Sequence, residues 1–158
     1  MIQYELVHQF NILIPGKPIP QIRHRHRVIQ AKGKKAFATT YDPLSKEKES
    51  TRLWLRANVK AEDIDRVYLL PITLSIVFVM PRPLAHYGTG KNSNLMKAFA
   101  PKFHIAKPDT DNLLKYYKDC MSKLVYHDDS QVFFDMTMKV YGNYPMPPHT
   151  KITVTGVK

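Results

Sequence analysis

Hydrophobic and polar positions change period several times along the chain, and each change marks a predicted element. Phe10–Ile14 is a short apolar run stopped by Pro15-Gly16, which predicts a first strand. The basic segment that follows predicts an extended hairpin or arm over residues 17–40, pairing Arg27–Gln30 with Ala36–Thr40. From Pro43 to Lys60 the period becomes helical, with Leu53, Trp54, Leu55 and Val59 on an apolar side and Lys46, Lys48, Arg52 and Arg56 on a basic one. Ile72–Met80 is a nearly continuous apolar, β-branched run, the pattern of a buried strand.

The next 27 residues, Pro81–Lys107, are rich in Gly, Pro, Asn, Ser and Lys and predict a long basic loop. Asp109–Leu124 then shows a helical stripe of Leu113, Tyr117, Cys120, Met121 and Leu124, with Asp111, Lys115, Lys118, Asp119 and Ser122 on the other side. Gln131–Tyr141 alternates, so that Val132, Phe134, Met136, Met138 and Val140 share a face, and Lys151–Val157 predicts a last short strand. The order predicts one small α+β domain over residues 1–158, a mixed sheet with two main helices.

Composition narrows the choice of partner. The chain has 158 residues, is 44% apolar, and contains seven Phe, nine Tyr and one Trp, enough for a core and unlike a disordered basic tail. Its formal charge is +11, which favours a polyanion as partner. Cys120 is the sole cysteine, excluding an internal disulfide and a Cys-rich zinc site and fitting a reducing cytoplasm. A secretory leader is not expected from the first twenty residues, and Val67–Met80 falls short of the ~20 apolar residues of a membrane span. A membrane partner is not expected.

Charge is unevenly distributed. Residues 17–60 hold twelve Lys/Arg and three acids, residues 67–108 hold no acid, and six of the 13 acids fall between Asp109 and Asp135. In Lys107-Pro108-Asp109-Thr110-Asp111-Asn112-Leu113-Leu114-Lys115, a helix cap accounts for one Asp at about 1 kcal/mol. A second Asp and a Lys one turn later need another reason. A divalent-cation site supplies it: Mg²⁺ takes carboxylate oxygen, keeps several waters, and needs only two or three Asp. Asp109 and Asp111 are two apart, one of Asp128-Asp129 can reach the same point, and Lys115 is placed to hold a scissile phosphate or assist the attacking water.

The stretch KPDTDNLLKYYKDCMSKLVYHDDSQV resembles the signature of RusA-type Holliday-junction resolvases, found in bacteria and their phages. D-x-D-N-L-x-K, an Asp after three residues and a later D-D-x-Q-V are all present, over about 26 residues. The opening IPGKPIPQIRHRHRV is similar in character to the family's first strand and basic arm. The resemblance implies a Mg²⁺-dependent endonuclease, with Mn²⁺ as substitute, that resolves four-way DNA junctions as a homodimer by paired nicks leaving 5′-phosphates. It implies Asp109, Asp111 and Asp129 as metal ligands and Lys115 as their catalytic partner, with Asp119, Asp128 and Asn112 secondary. Two features depart from the pattern: Pro81–Lys107 replaces the short link of compact members, and Lys115 to Asp129 is one residue tighter than in some of them.

Lys17, Arg23, Arg25, Arg27, Lys32, Lys34 and Lys35 are expected to grip backbone phosphate, which positions DNA without reading its sequence. His24 and His26 are more simply part of that stripe than a metal pair. Tyr117 is expected in the core and Tyr116 near substrate, while Phe99 and Phe103 either stack on unpaired bases or pack the loop onto the body. No acid-x-Lys follows Pro108-Asp109, which excludes the restriction-type nuclease core, and P-loop, G-x-G-x-x-G and G-x-S-x-G strings are missing. The rival from another class is a non-catalytic basic DNA-binding protein whose acids serve only as caps.

Overall fold

The computed structural model describes residues 4–30, 33, 35–143 and 145–158; the predicted phosphate contacts Lys32 and Lys34 fall outside them. Its main sheet has four strands, β1 (Leu6–Pro15), β4 (Ile72–Met80), β5 (Val132–Tyr141) and β6 (His149–Val157), in the order β1-β6-β4-β5. β1 and β4 both run antiparallel to β6, and β5 runs parallel to β4, so the sheet is mixed. The arm is a separate antiparallel hairpin of β2 (Arg25–Ile29) and β3 (Phe37–Tyr41), in register Arg25↔Tyr41 to Ile29↔Phe37.

Helices α1 (Ser45–Asn58), α2 (Ala61–Val67) and α3 (Thr110–Met121) cover one face of the sheet. The core lies between them. Ile72, Leu74, Ile76, Phe78 and Met80 of β4, Phe10, Ile12 and Ile14 of β1 and Ile152 and Val154 of β6 meet Leu55, Val67, Leu113, Tyr116, Tyr117, Cys120 and Met121. Each such side chain removed from water contributes about 1.5–3 kcal/mol. α2 approaches β6 so closely at Gly156 that a Cβ there would lie 2.9 Å from Val67. No helix is long and apolar enough to cross a membrane among the described residues.

The structure corrects one expectation and completes two. The sequence pattern predicts two main helices, and the short α2 is a third; only Val67 of its seven residues is buried, so its stripe is faint. Leu53, expected on the apolar side of α1, is 55% exposed, and Leu55, Trp54 and Val59 make the contact instead. On β5 the residues alternate as expected, and the register decides which face they take. Thr73↔Phe134, Ser75↔Met136 and Val77↔Met138 set the apolar side chains on the face away from the helices, where all three are exposed. Asp135, one position on, instead pairs with Lys118 of α3 at 3.6 Å.

The segment 81–107 is ordered by polar contacts rather than by its phenylalanines. Arg82 donates to the carbonyls of Gly142 and Pro101 and to Asn143, and lies over the Tyr141 ring. His86 and His104 both pack on Tyr141. Phe103 and Val140 form a single antiparallel bridge, so the segment lines the outer edge of β5. Two 3-10 turns, Leu84–His86 and Gly90–Asn92, replace the structureless loop of the sequence pattern.

Candidate metal and nucleic-acid site

α3 carries its chemistry on one side because its other side is committed to the core. Leu113, Tyr116, Tyr117, Cys120 and Met121 are buried. Asp111, Lys115 and Asp119 follow at i, i+4 and i+8, on the opposite side. After the helix the chain reverses at Lys123 (φ 61°), buries Tyr126, and enters the turn Asp129–Gln131.

That turn is held from both ends. Asp128 accepts from the Ser130 N–H at 2.9 Å, and the Gln131 side chain accepts from the Asp128 N–H at 2.8 Å, a reciprocal capping pair. The Gln131 amide also donates to the carbonyls of Tyr68 and Leu70, at 3.0 and 2.9 Å, which pins the turn to the body. Asp129 is thereby set into a cleft of about 260 Å³ that it shares with Asp111, Leu114, Lys115, Lys118 and Asp119.

A second cleft adjoins the first through Asp119 and Asp129, and Asp42, Lys48, Glu49 and Arg52 line it. The Lys48 ammonium bridges Asp42 at 2.7 Å and Asp119 at 2.9 Å, and Arg52 donates to the Asp119 carbonyl at 2.8 Å. Burial works to lower the Lys48 pKa, but the bonds to the two carboxylates outweigh it and hold it above its usual 10.5. A more apolar cavity of about 470 Å³ lies between Met80, Leu84, Tyr87 and Met146 and has no carboxylate in its wall.

The donor set fits a hard divalent cation. Among the described residues Asp129 Oδ1 is buried without a hydrogen-bond partner of good geometry, a costly state for a carboxylate oxygen that a cation would relieve. Burial and the adjacent Asp129 charge together push the Tyr126 hydroxyl pKa up, so Tyr126 stays a neutral neighbour. Among the described residues no three carboxylate or imidazole groups already converge on one point. Two carboxylates suffice for an ion that keeps most of its waters.

The expected residues separate into groups. Asp111, Lys115, Asp119 and Asp129 come together. Asp109 is the N-cap of α3, exposed and outside the cleft wall, and its side chain makes no capping bond. Asp128 is exposed and spends its carboxylate on the turn. Asn112 is half-buried, and its carbonyl accepts from the Gln21 N–H at 2.8 Å, tying the root of the arm to α3.

Tyr116 does not face substrate, contrary to the sequence expectation: it is fully buried and its hydroxyl pairs with Thr51 at 2.9 Å. Crowding behind α1 consumes the ring. Cys120 is buried too, and burial pushes its thiol up to about 11, which removes it as a nucleophile.

The basic residues also divide. Arg23, Arg25, Arg27 and Lys35 are exposed on or beside the β2–β3 hairpin. His26 pairs with Thr40 at 2.9 Å, in keeping with a stripe rather than a metal pair. Lys17 is exposed and contributes to another surface, since burial and the charges of Lys139 and Lys17 lower the pKa of His104. Of the basic side of α1, Lys46 and Arg56 are exposed, whereas Lys48 and Arg52 are spent on Asp119. The Asp42–Lys48–Asp119 link was invisible in the sequence, because its ends are 77 positions apart and neither Asp42 nor Lys48 lies in a motif.

Residues 15–155 match the family model described as endodeoxyribonuclease RusA. The chain belongs to that family, an endodeoxyribonuclease family of Holliday-junction resolution whose nucleases are in general dependent on a divalent metal. None of the curated proteins matches the sequence.

Proposed function

We propose that this chain is a Mg²⁺-dependent endonuclease that cuts four-way DNA junctions in recombination and repair. The observation that carries the reading is the cleft that sets Asp111, Asp119 and Asp129 beside Lys115. Asp111 and Asp129 would hold the cation, with Mn²⁺ as substitute, and Asp109 at the N-cap of α3 is the third expected ligand. The bound cation supplies Lewis acidity toward the phosphate and an activated water. Lys115, exposed at the cleft, contacts a phosphate oxygen and stabilises the charge that develops there. Asp119, neutralised by Lys48, shapes the wall. The cut leaves a 5′-phosphate.

A four-way junction has twofold symmetry, and two matched nicks need two sites, so the working form is a homodimer. The sheet face bearing exposed Phe134, Met136 and Met138 suits a second copy. The substrate places the work in the bacterial cytoplasm, whether the gene belongs to host or phage.

The test is cleavage of a synthetic four-way junction with Mg²⁺ by the wild type and by Asp111→Asn. Paired nicks by the wild type and a loss of at least about a hundredfold in Asp111→Asn are expected. Equal cleavage by both would remove Asp111 from the site. Junction binding without cleavage by either would favour the non-catalytic DNA-binding protein.

A further inference from the structure

The segment 81–107 inverts the usual arrangement of a long loop. Its polar side chains fasten it inward while its apolar ones face water. Arg82, His86 and His104 gather on Tyr141, and Lys139 donates to the carbonyls of Ala106 and Pro108. Two backbone bonds, His104 N–H to Lys139 and Tyr141 N–H to Lys102, lock residues 102–104 to the edge of β5. Phe99 is nevertheless 100% exposed, Phe103 60% and Ile105 94%. Exposed apolar side chains on so firmly held a backbone are a preformed surface, and a partner is the usual reason for one.

Charge selects the partner. Phe99, Phe103 and Ile105 are interleaved with Lys97, Lys102 and Lys107, and the segment 81–107 has five Lys/Arg and no acid. A second copy would oppose lysine to lysine across a twofold axis. The face with Phe134, Met136 and Met138 has Lys151 beside Met138 across Val77 but lacks the one-to-one interleaving of lysine and apolar residue seen along 97–107. Lysine beside an exposed ring suits single-stranded nucleic acid: the ammonium takes phosphate and the ring takes a base face. The position is also apt, because Lys139 fixes the end of the segment directly before Asp109, the N-cap of α3.

We propose that Phe99, Phe103 and Ile105 form a fixed apolar wedge that receives unstacked bases at the branch point and so presents the adjoining phosphodiester to the Asp111–Asp129 cleft. The proposal rests on the endonuclease reading above for its substrate, but it is read out by binding rather than cutting.

The experiment uses the full chain as Asp111→Asn, a four-way junction carrying 2-aminopurine at the branch, and a linear duplex of the same sequence. With the loop intact, the 2-aminopurine emission should change on binding as the base leaves its stack. Adding Phe99→Ala, Phe103→Ala and Ile105→Ala should abolish that change and weaken junction binding about tenfold, with duplex binding kept within about twofold. Phe99→Trp with Phe103→Trp should restore both signals, which separates stacking from misfolding. Unchanged emission and affinity in the triple variant would overturn the wedge. So would an equal loss on duplex and junction, or a triple variant that sediments at lower mass, since the surface would then be a phosphate grip or a contact between copies. A wild type that cuts no junction yet shows the emission change would sink the endonuclease reading and leave the wedge standing.

Discussion

The cleft at α3 and the β2–β3 arm are both predicted to meet DNA, yet they are held in opposite ways. The cleft stands on the core: behind Asp111, Lys115 and Asp119 lie Leu113, Tyr116 and Cys120, each with no exposed surface. The Asp129 turn opposite is fixed by the four hydrogen bonds of Asp128 and Gln131. In the arm, every residue of Arg25–Ile29 is exposed, Val28 at 69%. The difference follows from what each has to do. A cation and a reacting phosphate tolerate little displacement, so their ligands ride on packed elements. Phosphate contacts act through long flexible side chains and tolerate movement, so an arm without a core serves.

The sharpest way to break that comparison is inside the Asp128-Asp129 pair, two adjacent acids with opposite fates. On the proposed reading Asp129→Asn should lower junction cleavage at least about a hundredfold, since it removes the negative charge that would hold the cation. Asp128→Asn should keep cleavage within about threefold and lower the melting temperature slightly, because Asn still accepts the Ser130 N–H as a cap. Cleavage rates and thermal melts on the two variants check this. Equal losses would mean that the capping turn, not the donor set, governs the rate.

The arm should fail differently. Arg23→Ala, Arg25→Ala and Arg27→Ala together should weaken DNA binding and reduce the slope of log K against log salt by about 2–3, near one unit per lost phosphate contact. At saturating DNA the cleavage rate should stay unchanged. Binding titrations at several salt concentrations test it, and an unaltered slope would take the arm off the DNA.

How far each region was legible follows from the same contrast. α3 could be read because its core stripe and its polar side alternate with the period of a helix, and because the Asp-Lys spacing puts chemistry on one side. The arm could be read because consecutive basic residues have nowhere to go but outward. The sequence falls short where a partner distant in sequence decides. Tyr116 is claimed by Thr51, and Lys48 by Asp42 and Asp119. β5 turns its Met and Phe residues away from the helices because its register on β4 places them there, and alternation alone does not say which side is covered. Gln131 stood in the motif without a task until the carbonyls of Tyr68 and Leu70 gave it one.

The smallest effect concerns an ionic link between the two regions. Asp42 lies at the foot of the arm, Asp119 in the cleft wall, and Lys48 joins them. The bond from Lys48 holds the Asp42 carboxyl below its usual 3.8, so this part of the link is complete above that value and is lost as pH falls through the lowered one. Lys48 is held above 10.5, so its part is complete below that value and is lost as pH rises through the raised one. Between about pH 4 and 10.5 the link is whole. Lys48→Met leaves two carboxylates facing each other, and after allowance for solvent screening its cost is about 1 kcal/mol, or ~2–4 °C in Tm for a chain of this size. The Tm gap between wild type and Lys48→Met should be widest near neutral pH and narrow as pH falls below 3.8 through the lowered Asp42 value, where the protonated Asp42 carboxyl no longer attracts the ammonium. A gap that stays constant from pH 7 to pH 3 would show that Lys48 acts through its packed methylenes rather than its charge. The arm and the cleft would then be joined by the backbone bond of Gln21 to Asn112 rather than by charge.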